Sequence, residues 1–261
     1  MDERIVYKYL PPSWGSVDAV VEVLEKGRIG FTQTAALNDP FENLPSVADY
    51  RDKLRIQARE FAGVDASEDH LEANFQRLLD IIQSRYVYLC LSRINYSELM
   101  WAHYSASHTG FAIGFDTGNP FFYPENEVKG IGLRPVDYSP KRVAFPADGM
   151  YSLSEQDQVP FVQSLFFTKS EDWKYEYEAR LALNPQDATS KVKDANGFDV
   201  FLFNFQPTCV TEIILGCRMT PTKRSQIIAL LRARYSHVRL YQASLHDREF
   251  KIKVDLLNTW I

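Results

Sequence analysis

From residue 173 onward the chain is a succession of strand-length apolar runs broken by a single helical pattern, and this most restricts its fold. Residues 173–183, 199–205, 210–215, 238–243 and 250–257 are rich in β-branched and aromatic side chains and read as strands. The one interruption is a helix with Thr220 as N-cap, Pro221 at its first position, and Ile227, Ile228, Leu230 and Leu231 along its buried side. The first half adds strands over 5–9, 29–31, 86–92 and 111–116, the first of them ended by Pro11 and Pro12, which cannot donate to a ladder.

Helical patterns separate these early strands. Ser16 is expected to cap a helix in which Val17, Val20, Val21 and Leu24 face inward, Glu22 and Glu25 face outward, and Gly27 supplies a left-handed exit. Residues 45–63 and 67–84 are helical, the second with Leu71, Phe75, Leu78, Leu79 and Ile82 in one stripe. Ser97 caps a short helix through Met100, Trp101 and Tyr104 that Gly110 stops, and another helix covers 161–167. Residues 117–135 read as loop, including Gly130-Ile131-Gly132, which lacks the third glycine and following helix of a dinucleotide fingerprint. About eight strands and four or five helices in irregular order predict an α+β fold with a mixed, mostly antiparallel central sheet. With no repeat or linker, one domain over 1–261 with a helical insertion around 45–84 is the expectation.

Composition narrows the function classes. A 45% hydrophobic, 24% charged chain has the make-up of a folded protein. Cys90, Cys209 and Cys217 are odd in number and form no C-x-x-C, which argues against a disulfide framework or zinc knuckle. No apolar run suits a signal peptide or the ~20 residues of a bilayer span, so a cytoplasmic protein without a membrane partner is expected. A net charge of -5 with scattered basic residues disfavours non-specific nucleic-acid binding. No G-x-S-x-G, phosphate-loop or H-E-x-x-H pattern is present.

Residues 173–181 are the most informative stretch. Strict alternation places Glu176, Glu178 and Arg180 on one strand face and Tyr175, Tyr177, Ala179 and Leu181 on the other. That charged face is either a solvated edge with Arg180 as salt-bridge partner or a site where one carboxylate orients a hydroxyl. Asn38-Asp39-Pro40-Phe41-Glu42 is a rigid turn signature that serves as a connector or as support for a ligand or a catalytic strand. Trp101, His103, Tyr104 and His108 cluster ahead of a strand; a histidine spacing of five does not put two ligands on one helix face, so no metal is expected.

Taken together, Tyr7-Lys8-Tyr9, Asn38 to Glu42, Trp101-Ala102-His103-Tyr104, the run from His108 to Asp116, Lys169 to Trp173 and Glu176 to Arg180 resemble the bacterial family known as domain of unknown function 2971. A second resemblance is to ADP-ribosyltransferases of the DarT type, through the strand-helix-strand opening over 6–31 and through Glu176-Tyr177-Glu178. This second resemblance implies an ADP-ribosyltransferase-like fold and NAD as substrate. It further implies Glu178 as the catalytic carboxylate on the nicotinamide ribose and Glu176 as the group that positions the acceptor. Lys8 would face the pyrophosphate, where many such enzymes place Arg or His. Tyr9, Ser92, Trp101, Tyr104 and His108 would line the cofactor site, with Asn38, Asp39, Glu42 and Arg180 in support. Such an enzyme would be a toxin or phage-defence effector whose acceptor is a protein, a nucleic acid or a small molecule. Two alternatives stay open: a nucleotide-sensing or protein-interaction module without turnover, and a nucleic-acid-processing or hydrolytic enzyme built on His103, His108 and acidic residues.

Overall fold

The computed structural model describes residues 4–63, 67–126, 128–145 and 155–257. In chain order the strands are β1 (Ile5–Leu10), β2 (Ser13–Trp14), β3 (Val17–Asp18), β4 (Arg28–Thr32), β5 (Val87–Ser92), β6 (Phe111–Asp116), β7 (Gly130–Pro135), β8 (Asp137–Ser139), β9 (Thr168–Ser170), β10 (Glu178–Leu183), β11 (Ser190–Lys193), β12 (Asp199–Asn204), β13 (Val210–Leu215), β14 (Arg239–Leu245) and β15 (Ile252–Leu256). The α-helices are α1 (Val47–Ala62), α2 (Glu68–Arg85), α3 (Glu98–Tyr104), α4 (Glu155–Phe167) and α5 (Pro221–Arg234). The class is α+β, with mixed and mostly antiparallel pairing: only β13 with β14 and β8 with β9 run parallel among the described strands.

The chain divides into two compact units. The first, Met1–Thr32, Val87–Pro135 and Tyr175–Ile261, holds an eleven-stranded sheet in the order β11-β12-β4-β5-β1-β6-β13-β14-β15, with β10 on β5 and β7 on β10. β10 follows β5 along its whole length, from Glu178↔Ser92 to Leu183↔Val87. The other edge of β5 is therefore shared: β4 meets it at Thr32↔Tyr88 and β1 at Tyr7↔Ser92. The sheet forks at this point. β1 sends Val6 and Leu10 into a core with Leu89, Leu91, Ile113 and Phe115, while Ile5, Tyr7 and Tyr9 pack on the opposite face with Met100 and Trp101. Burial of each such side chain stabilises the fold by roughly 1.5–3 kcal/mol relative to exposure.

In the second unit, Gln33–Tyr86 and Val136–Lys174, Ser46 and Ser67 cap α1 and α2 by accepting from Asp49 N and His70 N, and Gly63 ends α1 at φ 65°. The expected stripe of α2 is buried from Leu71 to Ile82. Tyr50 lies 5.0 Å from Phe75 in a tilted pair and 4.9 Å from Phe145 edge-on, and Phe145 is 5.5 Å from Phe161 by ring centroid, so aromatic contacts pack this unit.

Four local readings are corrected. Asp18, not Ser16, caps the first helical turn, accepting from Val20 N at 2.9 Å and Val21 N at 3.3 Å, because Val17 and Asp18 pair as β3. Glu22 is buried rather than outward-facing, held by Lys26 and Arg28. Gly130 and Gly132 lie in β7, not in a loop; a Cβ on Gly130 would stand 2.2 Å from the Ala182 carbonyl oxygen, so glycine permits the close pairing with β10. Residues 173–177 are not strand: Glu171–Glu176 is a 3-10 helix and Tyr177 adopts a left-handed φ of 46° before β10 begins.

Candidate functional site

The left-handed Tyr177 sets the geometry of the acidic segment in the first unit. It rotates Glu176 out of register with β10, so Glu178 and Arg180 alone share a strand face and Glu176 turns toward α3. The junction is pinned by β5: the Ser92 hydroxyl donates to the Glu176 carbonyl at 2.6 Å and accepts from Ile94 N at 3.2 Å, and Arg93 N donates to the Tyr177 carbonyl at 3.0 Å.

No solvated charged face exists here. Glu176 and Glu178 are 3% exposed and Arg180 is 0% exposed. Arg180 clasps Glu178 with two hydrogen bonds, Nε to Oε1 at 2.6 Å and Nη2 to Oε2 at 3.1 Å, the bidentate geometry that makes Arg–carboxylate pairs strong. Glu176 Oε1 accepts from the Tyr104 hydroxyl. Lys8 Nζ donates to the Cys90 carbonyl at 3.0 Å, filling the fork between the β4 and β1 contacts on β5. Burial holds its ammonium below the ordinary lysine range, an effect opposed by nearby Cys90, Glu178 and Glu176.

This has a pH signature. An unfolded Lys8 keeps its proton up to about 10.4, whereas the folded chain releases it earlier. Over that window the unfolded state binds more protons, so Lys8 makes stability rise with pH. Urea midpoints measured from pH 7 to 10 should climb for the wild type relative to Lys8→Met, by at most ~1.4 kcal/mol per pH unit. Parallel profiles would refute the buried charge.

The structure brings Lys8, Ser92, Tyr104, Glu176, Glu178 and Arg180 into one patch on β1, β5, β10 and α3. Trp101 and Tyr9 form its apolar backing. Their rings meet edge-on at 5.1 Å, the Trp101 indole donates to Asn95 O and the Tyr9 hydroxyl to Ile94 O. Trp101 is wholly buried and offers no open face for stacking, which leaves Tyr104 as the stacking candidate.

His108 stands elsewhere. It ends three consecutive left-handed residues, Ala106, Ser107 and His108, at φ 49°, 54° and 70°, and lines a hollow with Glu98 and the turn between β14 and β15. Its Nδ1 is buried without a hydrogen-bond partner; burial and Arg218 hold the imidazole below the ordinary histidine range, against a smaller opposing effect of Glu98. Asn38, Asp39 and Glu42 belong to the second unit. There Asp39 Oδ1 accepts from Phe41 N at 2.9 Å, and buried Glu42 pairs with buried Lys169 at 3.4 Å, with Lys169 Nζ 4.8 Å from the Trp173 ring centre.

One polar network went unread in the sequence. Glu212 on β13, 5% exposed, accepts from Tyr7 at 3.0 Å, Arg239 at 2.6 Å and Tyr241 at 3.4 Å. Burial and this carboxylate raise the Tyr7 hydroxyl well above the ordinary tyrosine range. A lone carboxylate inside the apolar run 210–215 is the signal that could have marked it.

Among the described residues no group of three or more His, Cys, Asp or Glu could hold a metal ion, and no helix is long and apolar enough to cross a membrane. No curated protein and no solved structure matches the chain. Residues 100–181 match the model of a family described as protein of unknown function (DUF2971). The match runs from α3 into β10 and so covers Trp101, Tyr104, Lys169, Glu176, Glu178 and Arg180. Over this stretch the chain carries the resemblance to DUF2971 that its motifs first indicated.

Proposed function

We propose that the patch at the forked sheet is the reaction centre of an NAD-consuming, ADP-ribosyltransferase-like enzyme. The reading rests on one observation: three adjacent strands bring a cation, a serine and a carboxylate together, with Ser92 opposite Glu178 and the Lys8 ammonium on the Cys90 carbonyl, within electrostatic reach of Glu178 and Glu176. Cleavage of the bond between ribose C1′ and the nicotinamide nitrogen sends the bond's electron pair to nicotinamide and leaves positive charge on the ribose. A fixed carboxylate that accepts from a ribose hydroxyl stabilises that charge. Glu178 takes this role, its orientation fixed by two bonds to Arg180. Lys8 meets the pyrophosphate, Tyr104 walls the nicotinamide, and Glu176 positions the acceptor, whose nucleophile bonds to C1′ as its proton departs.

The tight closure of Glu178 by Arg180, at 3% and 0% exposure, favours a second reading: a module that binds a nucleotide without turnover. The same experiment separates the two. Nicotinamide release from NAD would be followed for wild type and Glu178→Gln, each first shown to unfold cooperatively above the assay temperature. Release by the wild type and a drop of at least a hundredfold in the variant is the expected result. A folded variant as active as the wild type would remove Glu178 from the chemistry. Absence of release with a rise in melting temperature on adding NAD would establish the binding module instead.

A further inference from the structure

We infer that the second unit carries its own binding site for a phosphoryl group, separate from the patch on the forked sheet. An open hollow of about 180 Å³ is lined by Asp39 and Phe41 of the Asn38–Glu42 turn, by Lys141 and Arg142 after β8, and by Thr168, Lys169 and Ser170 of β9. This is below the ~300–1,000 Å³ of sites that take a whole drug-sized molecule, and it suits one small charged group.

The charges around it do not balance. Among the described residues that line it, Lys141, Arg142 and Lys169 stand against Asp39 alone, whose Oδ1 accepts from Phe41 N, while Glu42 pairs with Lys169. Among the described residues neither Lys141 nor Arg142 has a carboxylate within ion-pair distance. Arg142 lies over the Phe41 ring, its Cζ 4.7 Å from the centroid. The ring accepts no hydrogen from the guanidinium's in-plane fork in a cation–π contact, which leaves N–H donors for an oxyanion. Lys169, 8% exposed, is the built part of the site, fixed from behind by Glu42 and Trp173.

The ligand chemistry follows from the count of donors. A carboxylate has two oxygens and one charge, which a single arginine satisfies. Lys141, Arg142 and Lys169 with the hydroxyls of Thr168 and Ser170 supply more donors than two carboxylate oxygens can use, and they match the three free oxygens of a tetrahedral phosphoryl group. Lys169 and the Asn38–Glu42 turn also belong to motifs that carry the resemblance to the family, so two sequence signatures far apart in the chain meet at one hollow.

The test is a calorimetric titration of the whole chain with inorganic pyrophosphate, with succinate as the carboxylate probe. Saturable binding of pyrophosphate that weakens at least tenfold in Lys141→Glu/Arg142→Glu, and is unchanged in the surface control Lys193→Glu, is expected. Both charge-reversed residues are exposed, so the double variant should keep its fold. The affinity should also fall as salt is raised. Absence of saturable binding, equal affinity for succinate, full binding in the double variant, or an equal loss in Lys193→Glu would each overturn the proposal. The last outcome would mean a response to net charge and not to a site. A failure of NAD turnover leaves this titration unaffected, because its readout is binding in the other unit.

Discussion

Gly110→Ala is expected to lower stability by about 3 kcal/mol or more. A Cβ at Gly110 would stand 1.9 Å from the Leu10 carbonyl oxygen and 3.0 Å from its carbonyl carbon. That neighbour is the backbone of β1, which pairs Leu10 with Phe111 and cannot retreat without breaking the β1–β6 ladder. The residue also closes the left-handed turn that follows α3. Gly110 N donates to Ser105 O at 2.8 Å, and its own carbonyl accepts from Gly216 N at 2.9 Å. Three consecutive residues in the left-handed region cost of order 1–3 kcal/mol each, so the turn persists only while these contacts hold it. Urea unfolding of Gly110→Ala beside Gly118→Ala checks the argument. At Gly118 the nearest neighbour is the end of the Asp116 side chain at 3.2 Å, and a change under about 0.5 kcal/mol is expected. Similar losses at both positions would refute the backbone clash.

Arg180→Met should cost about 3–5 kcal/mol, because it leaves the buried Glu178 carboxylate without its bidentate partner. The loss comes from the abandoned charge and not from the packing of the side chain, since methionine keeps most of the apolar length. The double variant Glu178→Leu/Arg180→Met should therefore recover most of it: a buried ion pair replaced by apolar residues of similar volume is often neutral in stability. Denaturation midpoints of both single variants and the double, read as a thermodynamic cycle, give the coupling directly. Additive losses would mean that the pair is not the unit of stability. This cycle also bears on the turnover assay, because Glu178→Gln leaves Arg180 facing a neutral acceptor and some loss of stability is expected there too.

Local rules made much of the framework legible. Ser97 and Thr220 cap α3 and α5, Gly27 adopts left-handed φ, and the runs at 111–116 and 210–215 form β6 and β13 with unchanged bounds. Each is set by residues within one turn or one strand. The acidic segment was misread because its charges alternate with period two through Tyr177, and periodicity cannot register a single residue turned to positive φ. The short strands β2, β3, β8, β9 and β11, of two to four residues, carry too little pattern to be seen. The clasp of Arg180 on Glu178 was legible as a possible i, i+2 contact, but its burial was not, because burial depends on β5 and β7 lying on either side of β10. The Lys169–Glu42 pair and the fork at β5 are tertiary facts that no local window contains.

The shared edge of β5 also bears on how the chain assembles. Cys90 and Ser92 find partners 82 residues upstream at Lys8 and 84 residues downstream at Glu176, so their contacts close only when both distant segments have arrived. Loops of that length must lose their freedom before any of these bonds repays it, which places the first unit among slow-folding, high-contact-order topologies. During synthesis, β5 emerges well before β10 and waits with one edge unpaired, an interval in which a strand as apolar as Val87–Ser92 is open to capture by another chain.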